Sequence, residues 1–205
     1  TMKNQAIGNQ LNDLLNSFFP EEDARLLQYF FRHHADAEYF SYEDVRLPEE
    51  DSHDLLMLGF EQRVVLPEKT RKGPAWEDRI LTFDEAAIFH VPQIVRQIAR
   101  ETGNQKNLQM NSLMATMFDK HPASNISDLV RLLTTIISNT RNQMFEVGLL
   151  DLYHQQINTR ISLHDILDLF VISGVMSPCP ARSLHTGLAW YEINPVCYWL
   201  KPSMQ

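Results

Sequence analysis

The sequence has few of the features that mark secreted and membrane proteins. It holds only two cysteines among 205 residues, Cys179 and Cys197, which are too few for a disulfide framework and lack CxxC spacing. It contains no run of about 18 apolar residues, which a membrane-spanning helix would need, and its first residues have no apolar core of a signal peptide. We therefore expect a cytoplasmic protein with buried free cysteines and no membrane partner.

Motifs of catalysis and cofactor binding are missing as well. The chain has no GxxxxGK or GxGxxG loop for a nucleotide and no GxSxG turn for a catalytic serine. Its eight histidines invite a metal hypothesis, but none has the HxxxH or HxxE spacing of a zinc site. The sequence therefore predicts no catalytic site, no cofactor and no metal, and we expect the protein not to be an enzyme.

Acidic residues outnumber basic ones only in the first half of the chain. The formal net charge is −8 at pH 7, and residues 1–103 carry all of it, with 11 Lys and Arg against 19 Asp and Glu. Residues 36–54 alone hold eight acids and a single base, Arg46. A net-acidic domain repels phosphate at long range, which argues against non-specific binding of nucleic acid.

Aromatic residues are concentrated near the N-terminus. Leu26, Leu27, Phe30 and Phe31 recur with helical spacing and predict a helix after Pro20 with one apolar face. A small domain would use such rings to fill its core. The alternative interpretation is an exposed surface for a protein partner.

Residues 39–83 have the pattern of two short helices followed by a β-hairpin. Ser41 with Asp44 predicts the start of the first helix, and Gly59 is expected to end the second in a left-handed cap. Strands are predicted at 63–66 and 79–83, joined by a charged loop that is free in solvent. Residues 84–102 are predicted to be a helix that Pro92 kinks or divides.

The second half repeats this order of elements. Helices are predicted at 108–118, 126–137, 143–156 and 163–174, the last capped by Ser162, and a second hairpin at 175–193. Residues 102–107 are short, polar and contain Gly103, which is typical of a domain boundary. The predicted domains are therefore 1–103 and 104–205, and the fold class is mostly α with small β-hairpins, that is, α+β.

This order of a capping serine, an acid, an apolar helix, a glycine and a strand resembles the winged helix-turn-helix superfamily, over residues 21–83 and again over 144–195. The resemblance implies tandem winged-helix-like domains, in which the second helix of the motif enters the major groove and the wing contacts the backbone. Asp51, Ser52, His53 and Arg63 would then face bases, and Lys69, Arg71, Lys72 and Arg79 would face phosphates. In the second domain, Arg160 and Arg182 would belong to a positive edge.

Two functions fit this resemblance. The first is a DNA-binding protein, a transcriptional regulator working as a homodimer, which the three cations of the 69–73 segment favour. The second is an acidic winged-helix subunit of a larger complex, for example a condensin-like one, that binds a protein partner through the acidic and aromatic N-terminal half. Glu49, Glu50 and Asp51 favour the second function, because they would meet phosphates if their helix entered DNA.

Overall fold

The structure, a computed structural model, describes residues 9–103, 108–118, 126–140, 142–156 and 161–200. The protein is mostly helical with two small antiparallel sheets, which confirms the predicted α+β class. It divides into two compact units, one formed by Thr1–Pro74 and Asp78–Leu108, the other by Ala75–Glu77 and Gln109–Gln205. The second unit thus includes a three-residue segment that a division after residue 103 places in the first domain.

Four helices and three short strands make up the described part of the first unit. In chain order they are α1 Asn9–Phe18, α2 Glu21–His33, β1 Tyr39–Ser41, α3 Glu49–Glu61, β2 Leu66–Pro67, β3 Ile88–His90 and α4 Gln93–Gly103, with a 3-10 turn at Tyr42–Asp44 after β1. The strands form an antiparallel sheet in the order β1-β3-β2.

The core of the first unit joins α2 to this sheet through aromatic rings. The predicted apolar face of α2 is confirmed, since all four of its large apolar residues are buried. The ring centroid of Phe30 lies 6.2 Å from that of Phe40 on β1, which lies 5.3 Å from that of Phe89 on β3. Three of the eight aromatic residues near the N-terminus, Phe30, Phe31 and Phe40, are therefore core, whereas Phe18 and Tyr39 are exposed and the other three are half-buried.

Gly59 does not end α3, contrary to the sequence-based prediction. The helix continues to Glu61, and the left-handed residue behind it is Arg63, with a φ of 54°. Gly59 is buried where the following chain crosses the helix, because its carbonyl accepts from the amides of Val64 and Val65 at 2.9 and 3.0 Å. A Cβ there would lie 2.8 Å from Val65 Cγ2, so close packing explains this glycine.

The returning strand of the first hairpin lies at 88–90, and the prediction of a strand at 79–83 was wrong. Leu66 is paired with His90 and Pro67 with Phe89. Further towards the tip of the hairpin, an isolated antiparallel β-bridge joins Thr70 to Arg79. Residues 80–83 form no regular strand or helix.

The helix predicted from residue 84 begins only at Gln93. Residues 88–90 alternate exposed, buried and half-buried, which is the period of a strand. Pro92 directly precedes α4, where its missing N–H costs no helical hydrogen bond, and its carbonyl accepts from the amide of Val95 at 3.0 Å. Pro92 thus precedes the helix instead of kinking it.

The second unit has six described helices and three strands. They are α5 Met110–Phe118, α6 Ile126–Asn139, β4 Met144–Glu146, α7 Val147–Gln156, α8 Leu163–Ile172, β5 Met176–Pro178, α9 Pro180–Thr186, β6 Trp190–Ile193 and α10 Val196–Trp199. The strand order is β4-β6-β5, the same order, first-third-second, as in the first unit. No described helix in either unit is long and apolar enough to cross a membrane.

Local sequence signals account for much of the second unit. Ser162 caps α8 as predicted, since its Oγ accepts from the amide of Asp165 at 3.1 Å. The predicted helix at 143–156 is wrong in its first turn, which is β4. Both cysteines are buried and free, as expected. Pro180 in the first turn and Gly187, with a φ of 73° just after the last, delimit the short helix α9 within the predicted hairpin loop.

The middle of the long charged loop is buried in the second unit. Trp76 is 4% exposed, and its backbone amide donates to Ser177 Oγ at 3.0 Å. The carboxylate of Glu77 accepts from the amide of Ala181, at the start of α9, at 2.7 Å. The expectation of a loop wholly free in solvent was therefore wrong for Ala75 and Trp76.

Candidate binding groove

A groove of about 1010 Å³ lies in the first unit between the start of α3 and the segment that precedes β3. Its floor and walls come from three stretches of chain that are distant in sequence. The lining residues are Tyr42, Glu43, Val45, Leu47, Glu49, Ser52, Phe83, Asp84, Glu85 and Ala86.

The 3-10 turn after β1 is held by a capping box and fixes one wall of the groove. The carboxylate of Asp44 accepts from the backbone amide of Ser41 at 2.7 Å and from its hydroxyl at 2.8 Å. These hydrogen bonds, first of all the one from the backbone, lower the pKa of Asp44. The amide of Tyr42 donates to the carbonyl of Ala87 at 3.0 Å, which ties the turn to the segment on the opposite wall.

The first turn of α3 supplies a second wall. Glu49, Glu50 and Asp51 occupy this turn, where acids stabilise the positive end of the helix dipole. Ser52 is buried, and its hydroxyl donates to the carbonyl of Leu47 at 3.2 Å. Ser52 therefore holds the approach to the helix in place, and the expectation that it would face a base was wrong.

Phe83 and Tyr42 contribute aromatic rings to the lining, and His53, which is not a lining residue, contacts both of them. The ring centroid of Phe83 lies 4.3 Å from that of His53, which lies 5.9 Å from that of Tyr42. Phe83 is nevertheless 37% exposed, because only part of its ring is covered. His53, which is expected to face bases, is half-buried and contacts both aromatic rings.

The electrostatic character of the groove is acidic. Glu43, Glu49, Asp84 and Glu85 are all exposed, and the lining contains no Lys, Arg or His. None of these four carboxylates forms an ion pair with a residue in the described ranges. The groove therefore presents four negative charges beside exposed aromatic surface.

Two of the arginines predicted to contact nucleic acid are part of the local structure of the first unit. Arg63 Nη1 donates to the carbonyl of Phe60 at 2.8 Å, and its guanidinium carbon lies 4.8 Å from the Phe60 ring centroid. Arg79 donates to the carbonyls of Pro67 and Pro74 at 2.9 and 3.2 Å, and burial lowers its pKa. Arg63 thus covers the end of α3, and Arg79 braces the hairpin.

The remaining predicted cations lie in different places. Lys69, Arg71 and Lys72 are exposed on the hairpin, which leaves them available to a partner. Arg182 lies on Trp190, with its guanidinium carbon 3.9 Å from the ring centroid. Arg160 lies outside the described residues.

The two helices that correspond to the second helix of the predicted motif carry no basic residue other than histidine. α3 contains five acids and no Lys or Arg, and α8 contains Asp165 and Asp168 and no Lys or Arg. His164 Nε2 on α8 lies 3.4 Å from the Oδ2 atom of Asp168. In the ranges that the structure describes, no group of three or more His, Cys, Asp or Glu could hold a metal ion.

Comparison with known proteins gave one finding. A protein-family model matches residues 9–201. The chain belongs to that family. The match spans residues of both units and carries no description of an activity or a ligand. Neither the curated proteins nor the solved structures gave a match.

The part of the groove formed by residues 83–86 is not predicted by the sequence. Glu43 and Glu49 were visible as part of the acidic 36–54 segment, but Phe83, Asp84 and Glu85 were assigned to a strand and a helix. The only local signal was the run of acids itself. The approach of these residues to the start of α3, some thirty positions earlier in the chain, follows from the pairing of β3 with β1.

Proposed function

We propose that the chain is a protein-interaction subunit of a larger complex, built on two winged-helix-like units. Both units contain a helix, a strand, a second helical segment, a third helix and two further strands in that order, with α9 inserted between the last two strands of the second unit, and both sheets have the order first-third-second. This recurrence supports the tandem winged-helix interpretation. Winged helices recognise either nucleic acids or proteins, so the function has to be inferred from the residues on the surface and not from the fold.

The observation that carries the proposal is the charge of the surface on which a DNA-binding winged helix would dock. Such a protein inserts the second helix of its motif into the major groove, where the flanking phosphates demand positive charge. Here α3 and α8 have no Lys or Arg, and the groove beside α3 is rimmed by four carboxylates. Insertion would bring like charges together, whereas a protein partner with a basic surface would be attracted.

DNA binding is the second candidate function, and one specific observation favours it. Lys69, Arg71 and Lys72 are exposed together on the first hairpin, in the place where a wing would contact the DNA backbone. These three residues could contact three phosphates, but neither α3 nor α8 has a Lys or Arg that could recognise the DNA sequence. The same three cations would equally suit an acidic patch on a protein partner.

A pull-down from the native cells, with and without nuclease, tests the proposed function. We expect the tagged chain to recover a protein partner in a stoichiometric amount, and nuclease treatment to leave that amount unchanged. Recovery that disappears after nuclease treatment would support the DNA function instead. The absence of any stoichiometric protein would contradict the proposal.

A further inference from the structure

We propose that the acidic groove of the first unit binds a cationic segment of the partner chain, with Lys or Arg side chains on its acidic rim and an apolar side chain against Phe83. This inference rests on the proposed function and names the site and the chemistry of the partner. Three properties of the groove support it: its size, its charge and its apolar wall.

The size of the groove suits a short segment of polypeptide. The groove is an open depression of about 1010 Å³, slightly larger than the roughly 300–1,000 Å³ typical of enclosed small-molecule sites. It is bounded by exposed acids on more than one side and is made by parts of the chain that the capping box and the β1–β3 pairing hold in place. A preorganised site of this kind costs little conformational entropy when a partner binds.

The charge of the groove selects a cationic occupant. Glu43 comes from the 3-10 turn, Glu49 from α3, and Asp84 and Glu85 from the segment before β3. Because these four carboxylates have no ion-pair partner in the described part of the chain, a Lys or Arg side chain would not have to displace an existing contact. Nucleic acid and acidic peptides would be repelled, and no metal-ion cluster occurs among the described residues.

The apolar wall gives the occupant a second point of contact. Phe83 is partly exposed at the groove while its other face packs on His53, so its ring is held in place before a partner binds. Leu47, which is half-buried, and Val45, which is buried, add further apolar lining. Aromatic residues fixed in a concave site commonly dominate the binding energy of an interface.

Fluorescence anisotropy with two labelled peptides of equal length tests the inference on the full chain. The probe peptide consists of Lys, Arg and Leu, and the control peptide replaces each Lys and Arg with Glu. We expect saturable binding of the cationic peptide only. The groove variant Glu43→Lys with Glu85→Lys should weaken its affinity about tenfold, because two attractive charges become repulsive.

The matched control is Asp13→Lys with Glu61→Lys, which changes the net charge by the same amount outside the groove. Asp13 lies on α1, and Glu61 lies at the opposite end of α3, about 18 Å along the helix from Glu49. We expect this control to weaken binding less than about twofold. Equal reductions in affinity for the two variants would show that only net charge matters and would overturn the inference.

An uncharged variant separates the apolar contact from electrostatics. Phe83→Ala should weaken the cationic peptide several-fold and leave its dependence on salt unchanged, with circular dichroism confirming that the variant is folded. Unchanged affinity with Phe83→Ala would contradict the proposed mode of binding. If the groove variant still recovers the stoichiometric partner from cells, the site is wrong while the proposed function stands.

Discussion

Replacing Trp76 with Ala should lower the free energy of unfolding of the second unit by about 3–5 kcal/mol. Trp76 is 4% exposed, so its loss would leave a cavity in that unit. The Trp76 side chain also holds its segment in register for two hydrogen bonds. The Trp76 amide donates to Ser177, and the Ala181 amide donates to Glu77. The loss of stability is large because Trp76 is the one large side chain that residues 75–77 bury in the second unit.

Denaturant unfolding followed by tryptophan fluorescence measures this effect selectively. The chain has three tryptophans, Trp76, Trp190 and Trp199, and all of them belong to the second unit. The variant retains two of them as reporters. Trp190→Ala is the matched control, since Trp190 is only half-buried and should cost less. Equal midpoint shifts for the two variants would contradict the burial of residue 76.

Lowering the pH from 6.5 to 4 should remove about 3 kcal/mol of stability from the first unit through His34 alone. His34 is buried, its ring lies on Phe40 with centroids 4.8 Å apart, and its Nε2 atom has no hydrogen-bond partner. Burial, helped by the neighbouring His33 and opposed by Asp44, lowers the pKa of His34 from 6.5 to about 4. The folded state therefore binds a proton less readily than the unfolded chain.

The sign of this pH dependence follows from that difference. Between pH 6.5 and 4 the unfolded chain holds more protons than the folded chain, so the free energy of unfolding falls as the pH falls. Above pH 6.5 the stability that neutral His34 contributes is fully present.

Circular dichroism of denaturant unfolding at a series of pH values measures this pH dependence of the free energy of unfolding. His34→Phe should flatten the curve by about this amount, while the exposed-residue control His185→Gln should not. The pKa of His90 is also lowered by burial, so some dependence should persist in both variants. Parallel curves for His34→Phe and the unsubstituted protein would contradict the buried neutral imidazole.

Those parts of the fold that depend on neighbouring residues could be predicted from the sequence. The apolar face of α2 and the cap at Ser162 are short-range patterns, and the structure confirms both. Gly59 produced a wrong prediction because a glycine near the end of a helical pattern usually marks a cap. Its physical reason for being there is the close approach of Val65, which no local pattern reveals.

The remaining errors have a common cause in tertiary structure. Residues 88–90 were predicted to be helical because Ala87, Ile88 and Val91 also fit a helical period, and only the pairing of β3 with β1 and β2 decides between the two. Trp76 was assigned to a solvated loop because charged residues surround it in sequence. The acidic half of the groove at 43–49 was visible in composition, whereas Phe83, Asp84 and Glu85 join it only through the fold.

A salt-dependent titration of the full chain with mixed-sequence duplex DNA tests the central claim most directly. We predict no saturable binding tighter than about 10⁻⁴ M at physiological salt, and no change when Lys69, Arg71 and Lys72 are replaced by Ala. The contradicting result is saturable binding whose salt dependence falls by about 0.9 for each phosphate that the triple variant can no longer neutralise, which would make the chain a DNA-binding protein.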